Sequence, residues 1–183
     1  LWVCPVGESP PDTGAVVVHM DPGMAFGTGT HATTALCLHW LGAHSPVNLS
    51  VIDYGCGSGI LAIAAHRLGA AEVTAVDIDP QALQATQENA SRNDCNIEVL
   101  YPDALGGRSA DLVIANILAN PLIELAPDMA ARVHPGGRLI LTGILAEQAD
   151  AVMAAYVDWF EFALPVCCEE WVLLEGVRRY TNS

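Results

Sequence analysis

The sequence contains no lysine: its seven cations are all arginines, set against 21 acidic residues, for a net charge of −14. A nucleic-acid binder needs a basic stripe to displace counterions from phosphates, and there is nothing here to build one from, so no nucleic-acid partner is expected. The acidity suits a basic partner, whose encounter long-range attraction speeds, and it serves equally as a solubility surface. Six cysteines (Cys4, Cys37, Cys56, Cys95, Cys167, Cys168) form no C-x-x-C pair, and the six histidines do not cluster. No metal site is expected, and the thiols are read as buried or incidental ones in a reducing compartment. No apolar run is long enough to span a bilayer, and no charged-then-apolar segment opens the chain. The expectation is therefore a soluble, cytoplasmic protein without a membrane partner. The chain begins "LWVCPV", strand-like and without an initiator Met, as expected where residues have been removed upstream.

What is present is enough for one core. With 183 residues, 52% of them hydrophobic, the chain is read as a single domain, 1–183. Residues 1–48 carry an N-terminal strand, a glycine-rich lid loop and a helix, and 49–183 a sheet with helices on both faces. From Leu49 onward, short β-type runs alternate with helical ones. "LSVIDY" is followed by "ILAIAAHRLGA", a helix ended near Gly69. "EVTAVDID" runs into Asp79 and Pro80, an N-cap and a first-turn proline that open a helix stopping near Asn93. "NIEVLY", "ADLVIANI" and "GRLILTGI" repeat the strand signal, with helices containing Pro121 and Pro127 between the last two. This βα series predicts an α/β fold with a mostly parallel sheet. "WFEFALPV" and "EWVLLEGVR", separated only by "CCE", leave no room for a crossover helix and predict an antiparallel hairpin at one edge.

Two glycine clusters stand out: "MDPGMAFGTGTHATTA" (20–35) and "DYGCGSG" (53–59). The second follows a strand and opens a helix, the general arrangement of a nucleotide site. Gly55, Gly57 and Gly59 make G-x-G-x-G, with Ile60 where the dinucleotide fingerprint places its last glycine. Asp53, two residues before the first glycine, is a poor neighbour for a pyrophosphate and a good one for a cation. S-adenosylmethionine brings both an ammonium and a sulfonium. Asp77 ends the next strand, 22 positions after Gly55, where a carboxylate hydrogen-bonds ribose hydroxyls. Asp103, in the loop after the third strand, either reaches an adenine edge or caps the short turn that follows. The order favours a methyl donor, and a nicotinamide-dependent oxidoreductase remains the alternative.

"ANILAN" (115–120) ends the fourth strand, at the carboxyl edge where ligands of open α/β sheets lie. The Asn116 amide there accepts from an amine without ionising it, or caps the following helix. Methyl transfer from a sulfonium is an in-line displacement, so the attacking nitrogen needs a free lone pair. Freeing it costs roughly 4 to 5 kcal/mol for a lysine amine at neutral pH and about 1 kcal/mol for an α-amine. A dry pocket of neutral acceptors lowers that cost, and no separate general base is required. His31 is read as helix-start packing.

"DPGMAFGTGTHATTALCL", "VIDYGCGSGILAIAAHRLGA", "VDIDPQAL" with "ENASRN", and "ANILANPLIELAP" occur in an order that resembles the catalytic domain of the ribosomal protein L11 methyltransferase family (PrmA-type). The likeness runs over nearly the whole chain. It implies a Rossmann-like class I methyltransferase fold of seven strands with a C-terminal antiparallel hairpin, and S-adenosyl-L-methionine as cofactor. It also implies N-methylation of lysine side chains and of the α-amine of ribosomal protein L11, with cofactor contacts at Thr34, Gly55, Asp77 and Asn116. Gly57 lets the backbone approach the cofactor. Phe26 covers an apolar face of it in a lid whose glycines, Gly27 and Gly29, let the loop fold close. Two loop positions depart from the family pattern, Ala32 where Pro is usual and Met24 where Leu is common. The family carries a smaller N-terminal substrate-recognition domain and this chain starts after it, so the expectation is cofactor binding with poor capture of L11. Two readings stay beside this one: a related methyltransferase acting on another protein or small amine, and a cofactor-binding module without turnover. The sequence gives no oligomeric state.

Overall fold

The computed structural model describes residues 1–8, 10, 14–20 and 31–180. Two short strands open the chain, β1 (Trp2–Pro5) and β2 (Val17–Met20), and pair in parallel as a small separate sheet. Helix α1 (Ala32–Ala43) follows, capped by His31, whose Nδ1 accepts from the Thr33 backbone N–H. The βα series then runs as β3 (Ser50–Tyr54), α2 (Ile60–Arg67), β4 (Glu72–Val76), α3 (Pro80–Arg92), β5 (Glu98–Leu100) and β6 (Ala110–Asn116). It continues with α4 (Ala119–Glu124), α5 (Ala126–Arg132), β7 (Val133–Leu145) and α6 (Ala149–Tyr156). Three strands close the chain, β8 (Phe160–Phe162), β9 (Val166–Cys168) and β10 (Trp171–Arg178).

The main sheet has the order β5-β4-β3-β6-β7-β10-β8, with β9 also on β10. The pairs from β5 to β7 are all parallel, and β10 is antiparallel to each of its neighbours. The α/β fold with an antiparallel C-terminal part is thus as the sequence pattern predicts, but the hairpin differs in detail. "WFEFALPV" is not one strand. It breaks over Ala163–Pro165, and the two halves, β8 and β9, pair with opposite ends of β10. Pro165 has no N–H to donate to a ladder, which confines it to a break or an edge. Eight hydrogen-bonded segments therefore occupy seven lanes, and it is β10, the last strand in sequence, that lies against β7. The "NIEVLY" strand is also shorter than its run, at three residues.

The core follows from the apolar strands. Val51, Leu112, Ile114 and Ile140 pack on one face with α1 and α2, whereas Ile52, Val113, Leu139 and Leu141 pack on the other with α4, α5 and α6. Such continuous apolar runs are what a parallel sheet buried on both faces demands. The helix signals hold: Asp79 Oδ1 caps α3 by accepting from Gln81 N at 2.9 Å, and Gly69 takes φ +99° just past α2. Asn93, at the C-terminus of α3, bonds both ways to the backbone of His19 and ties the small sheet to the large one. Among the described residues no helix is long and apolar enough to cross a membrane.

Candidate functional site

The carboxyl ends of β3 and β6 and the start of α1 surround one cavity of about 340 Å³. Its wall includes Thr34 of α1, Gly55, Cys56 and Gly57 of the turn after β3, Ile60 and Leu61 of α2, and Asn116 at the end of β6. His31, Leu118, Gly143 and Trp171 also line it. Of the residues singled out from the sequence, Thr34, Gly55, Gly57 and Asn116 are brought together here.

The turn after β3 is held from β4. Gly55 and Cys56 donate backbone N–H groups to the Val76 carbonyl, at 2.7 and 3.0 Å, and Gly57 donates to Asp77 Oδ2 at 3.0 Å. Asp77 Oδ1 accepts from Asp79 N, so this carboxylate sits at the end of β4 with both oxygens turned to backbone donors. Gly55, at φ +80°, must be glycine: a Cβ there would lie 2.3 Å from Ile117 Cγ2. Ile78, next to Asp77, is 80% exposed, an unusual state for an isoleucine at a strand end.

Asn116 does not cap α4. The N-cap residue of that helix is Leu118, without a side-chain bond, and the Asn116 Nδ2 instead donates to Thr34 Oγ1 over a long 3.4 Å. With the amide nitrogen turned to Thr34, the amide oxygen is the group left to accept from a ligand in the cavity. Among the described residues no carboxylate or arginine lines the cavity; the titratable side chains in its lining are His31 and Cys56. Burial, reinforced by Asp53, pushes the Cys56 thiol well above its ordinary range and keeps it neutral.

Asp53 stands behind this wall rather than in it. It is 1% exposed, and its Oδ2 accepts from the Ala62 backbone N–H at 3.0 Å, in the first turn of α2. Its Oδ1 has no hydrogen-bond partner among the described residues. Burial pushes its carboxyl up to about 7, with Asp77 adding to the rise and the Ala62 bond opposing it.

Asp103 lies apart from the cavity, exposed in the first turn of a 3₁₀ helix spanning Pro102–Leu105. Phe26, Met24, Gly27 and Gly29 fall outside the described residues. Sequence reasoning missed Trp171, which reaches the rim from β10 and meets His31 edge-to-face with ring centroids 5.1 Å apart. It also missed Gly143, at φ +83°, where a Cβ would lie 2.3 Å from the Ile117 carbonyl oxygen. A glycine inside a strand signals close backbone approach, and that signal was available.

The family model described as Ribosomal protein L11 methyltransferase (PrmA) matches residues 1–179. The ribosomal protein L11 methyltransferase of Methylococcus capsulatus is 60% identical over 182 residues, covering 98% of this chain and 62% of that protein. Its counterpart from Teredinibacter turnerae is 52% identical, covering 100% and 62%. The chain thus spans 62% of the length of these curated relatives. A crystal structure of ribosomal protein L11 methylase from Lactobacillus delbrueckii subsp. bulgaricus is similar at a TM-score of 0.88 and 33% identity, covering 97% of this chain and 94% of that one. The T. thermophilus 16S rRNA N2 G1207 methyltransferase, solved with AdoMet and guanosine, has a TM-score of 0.70 at 23% identity, a likeness of fold alone; the match covers 85% of this chain and 45% of that one.

Proposed function

This chain belongs to the ribosomal protein L11 methyltransferase family, and on that premise we propose that it is an S-adenosylmethionine-dependent protein N-methyltransferase. Its acceptors in this reading are lysine side-chain amines and the α-amine of ribosomal protein L11, met in the cytoplasm. The observation that supports the reading is the uncharged wall that the described residues build around Asn116: an amide acceptor with no carboxylate among them. Such a wall disfavours an ammonium ion and so favours the free amine that a displacement needs. The net charge of −14 adds attraction for a basic ribosomal protein.

The residues present fit the cofactor. At about 340 Å³ the cavity is in the range of small-molecule sites, and at Gly55 the place of a Cβ is taken by the Ile117 side chain, which also lines the cavity. When bound, S-adenosylmethionine supplies a methyl group on a positively charged sulfur. Gly55 and Gly57 are assigned to its amino-acid part, Asp77 to the ribose hydroxyls, and the exposed Ile78 to an adenine face. Asp103 is assigned to the adenine edge and Phe26 to the lid. Thr34 fixes the Asn116 amide, whose oxygen then orients the lone pair of the incoming amine. The amine gives its proton to water before it enters this uncharged surround and the methylated nitrogen leaves as an ammonium, so no side chain has to take a proton in the transfer step.

The test is transfer of a labelled methyl group to purified ribosomal protein L11 by this chain and by Asn116→Ala. Labelled lysine and α-amine positions with the first, and loss with the second, are expected. Absence of labelling while the chain binds the cofactor, with L11 raised far enough to offset weak capture, would overturn the acceptor assignment. Labelling of a different amine in a ribosomal extract would move the acceptor elsewhere in the same chemistry.

A further inference from the structure

The carboxyl of Asp53 is the one acidic group among the described residues with an oxygen both shut off from water and without a hydrogen-bond partner. Among the described residues its surroundings hold no compensating cation. The opposing residues on its two neighbouring strands are Ala75 and Ile114. Cys37 faces it from α1 and Cys56 from the glycine turn, both thiols kept neutral by burial and by Asp53, and Asp77 faces it from β4. The single donor it has is the Ala62 N–H of α2. Removing a carboxylate from water with one donor and no counter-ion costs several kcal/mol, so the neutral acid is the form this pocket tolerates. Yet the pocket adjoins the cavity. Gly55, Cys56 and Gly57, two to four positions on, line it, as do Ile60 and Leu61, which precede Ala62.

We propose that Asp53 is a proton-linked element of the cofactor site: it holds a proton in the empty protein and gives it up when the ammonium group of a ligand enters the cavity. This rests on the cofactor reading above. A cation brought within a few ångströms lowers a carboxyl pKa by about 1 to 3 units. From the empty-state position near 7, that shift empties Asp53 of its proton at slightly acid pH. Binding is therefore favoured by raising the pH through this range, because the bound state carries fewer protons than the free one. The ammonium that enters is matched by the carboxylate that appears, and the wall built by the described residues stays uncharged.

Calorimetry of ligand binding at pH 6.5, in buffers of different ionisation heat, measures the protons released. S-adenosylmethionine and S-adenosylhomocysteine, which both carry the ammonium, should each release on the order of half a proton or more. Methylthioadenosine, which lacks the whole charged amino-acid part and is uncharged at sulfur, should release none. Above pH 8 the release should vanish, and S-adenosylmethionine should bind about 3- to 5-fold more tightly at pH 7 than at pH 6, below the range in which its own ammonium titrates. Asp53→Asn should abolish both effects. Release that persists in Asp53→Asn would assign the proton to His31 or another group and overturn the proposal. Should that variant not fold, the unaltered protein decides. Its infrared difference spectrum on S-adenosylmethionine binding at pH 6.5 must lose a protonated-carboxyl band, and a spectrum without that loss overturns the proposal. Failure of S-adenosylmethionine to bind at all would overturn the cofactor reading, whereas binding without proton release overturns only this inference.

Discussion

The Asn116 amide and the Thr34 hydroxyl meet at 3.4 Å across 82 positions of sequence, joining the carboxyl end of β6 to the first turn of α1. Thr34 is 2% exposed, so its methyl group is packed while its hydroxyl is committed to the site. Thr34→Val keeps the packing and removes the partner of the amide. Transfer to L11 should fall about 10- to 100-fold with little change in thermal stability, since misplacing one orienting group by an ångström costs about that much. Asn116→Ala should cost more. Steady-state rates beside melting curves check both, and a Thr34→Val rate equal to wild type would remove the orienting role.

Gly143 and Gly69 both have left-handed backbones, but only the first has no room for a side chain. A Cβ at Gly143 lies 2.3 Å from the Ile117 carbonyl oxygen, whereas at Gly69 the nearest atom is a Val47 methyl at 3.4 Å. The conformational cost of alanine, about 1 to 2 kcal/mol, is common to both. Gly143→Ala should therefore be destabilised by a further ~2 kcal/mol or more, and should disturb the cavity rim. Urea unfolding of the two variants gives the difference.

Two aspartates should bend the pH dependence of stability in opposite directions. Asp53 has its carboxyl raised to about 7 in the folded protein, so the unfolded chain loses its proton first. Stability of the ligand-free protein falls as pH rises from about 4 to about 7 on account of this group and is level above. Relative to wild type, Asp53→Asn should gain on the order of 2 to 4 kcal/mol between pH 5 and pH 8. Asp111 is held down to about 2 by the backbone N–H and hydroxyl of Ser50 and by His134. Its contribution is present above the usual carboxylate range and lost as pH falls through 2. Asp111→Asn should melt below wild type at pH 6, and the gap should close near pH 2.

Tyr156 is fully buried, and its hydroxyl donates to the Leu122 carbonyl at 2.7 Å, locking α6 onto α4. Tyr156→Phe should cost about 1 to 2 kcal/mol without altering cofactor affinity. Chemical denaturation with parallel binding titrations checks the pair of outcomes.

Much of this is legible in the residues because the deciding interactions are local. Asp79 and Pro80 specify a helix start within three positions, and the turn at Gly55 is fixed by glycines that tolerate positive φ. The position of Asn116 at a strand end follows from the apolar run before it. Trp171 was not legible, since it comes to the cavity rim only because β10 inserts beside β7, and strand order is a non-local choice. The break in "WFEFALPV" was signalled by Pro165, but the apolar run on either side of it has the pattern of a continuous strand. Thr34 was legible through family likeness, not through spacing, because nothing in "HATTAL" says which threonine faces a strand 82 positions away. The burial of Asp53 behind the wall, rather than in it, depends on how α2 docks.

Both outer lanes of the sheet are made of three-residue strands: β5 on one side, and β8 and β9 in tandem on the other. An unpaired strand edge invites another chain to add itself, and a long flat one is a template for aggregation. Here β5 is flanked by the Arg108–Glu98 ion pair, and the opposite lane is interrupted over Ala163–Pro165 before a second strand can align. A chain with 52% hydrophobic residues thus ends its sheet at both borders with too short a ladder to recruit a neighbour. The interruption that spoils the simple hairpin also leaves this lane of the sheet with only short edges to offer another chain.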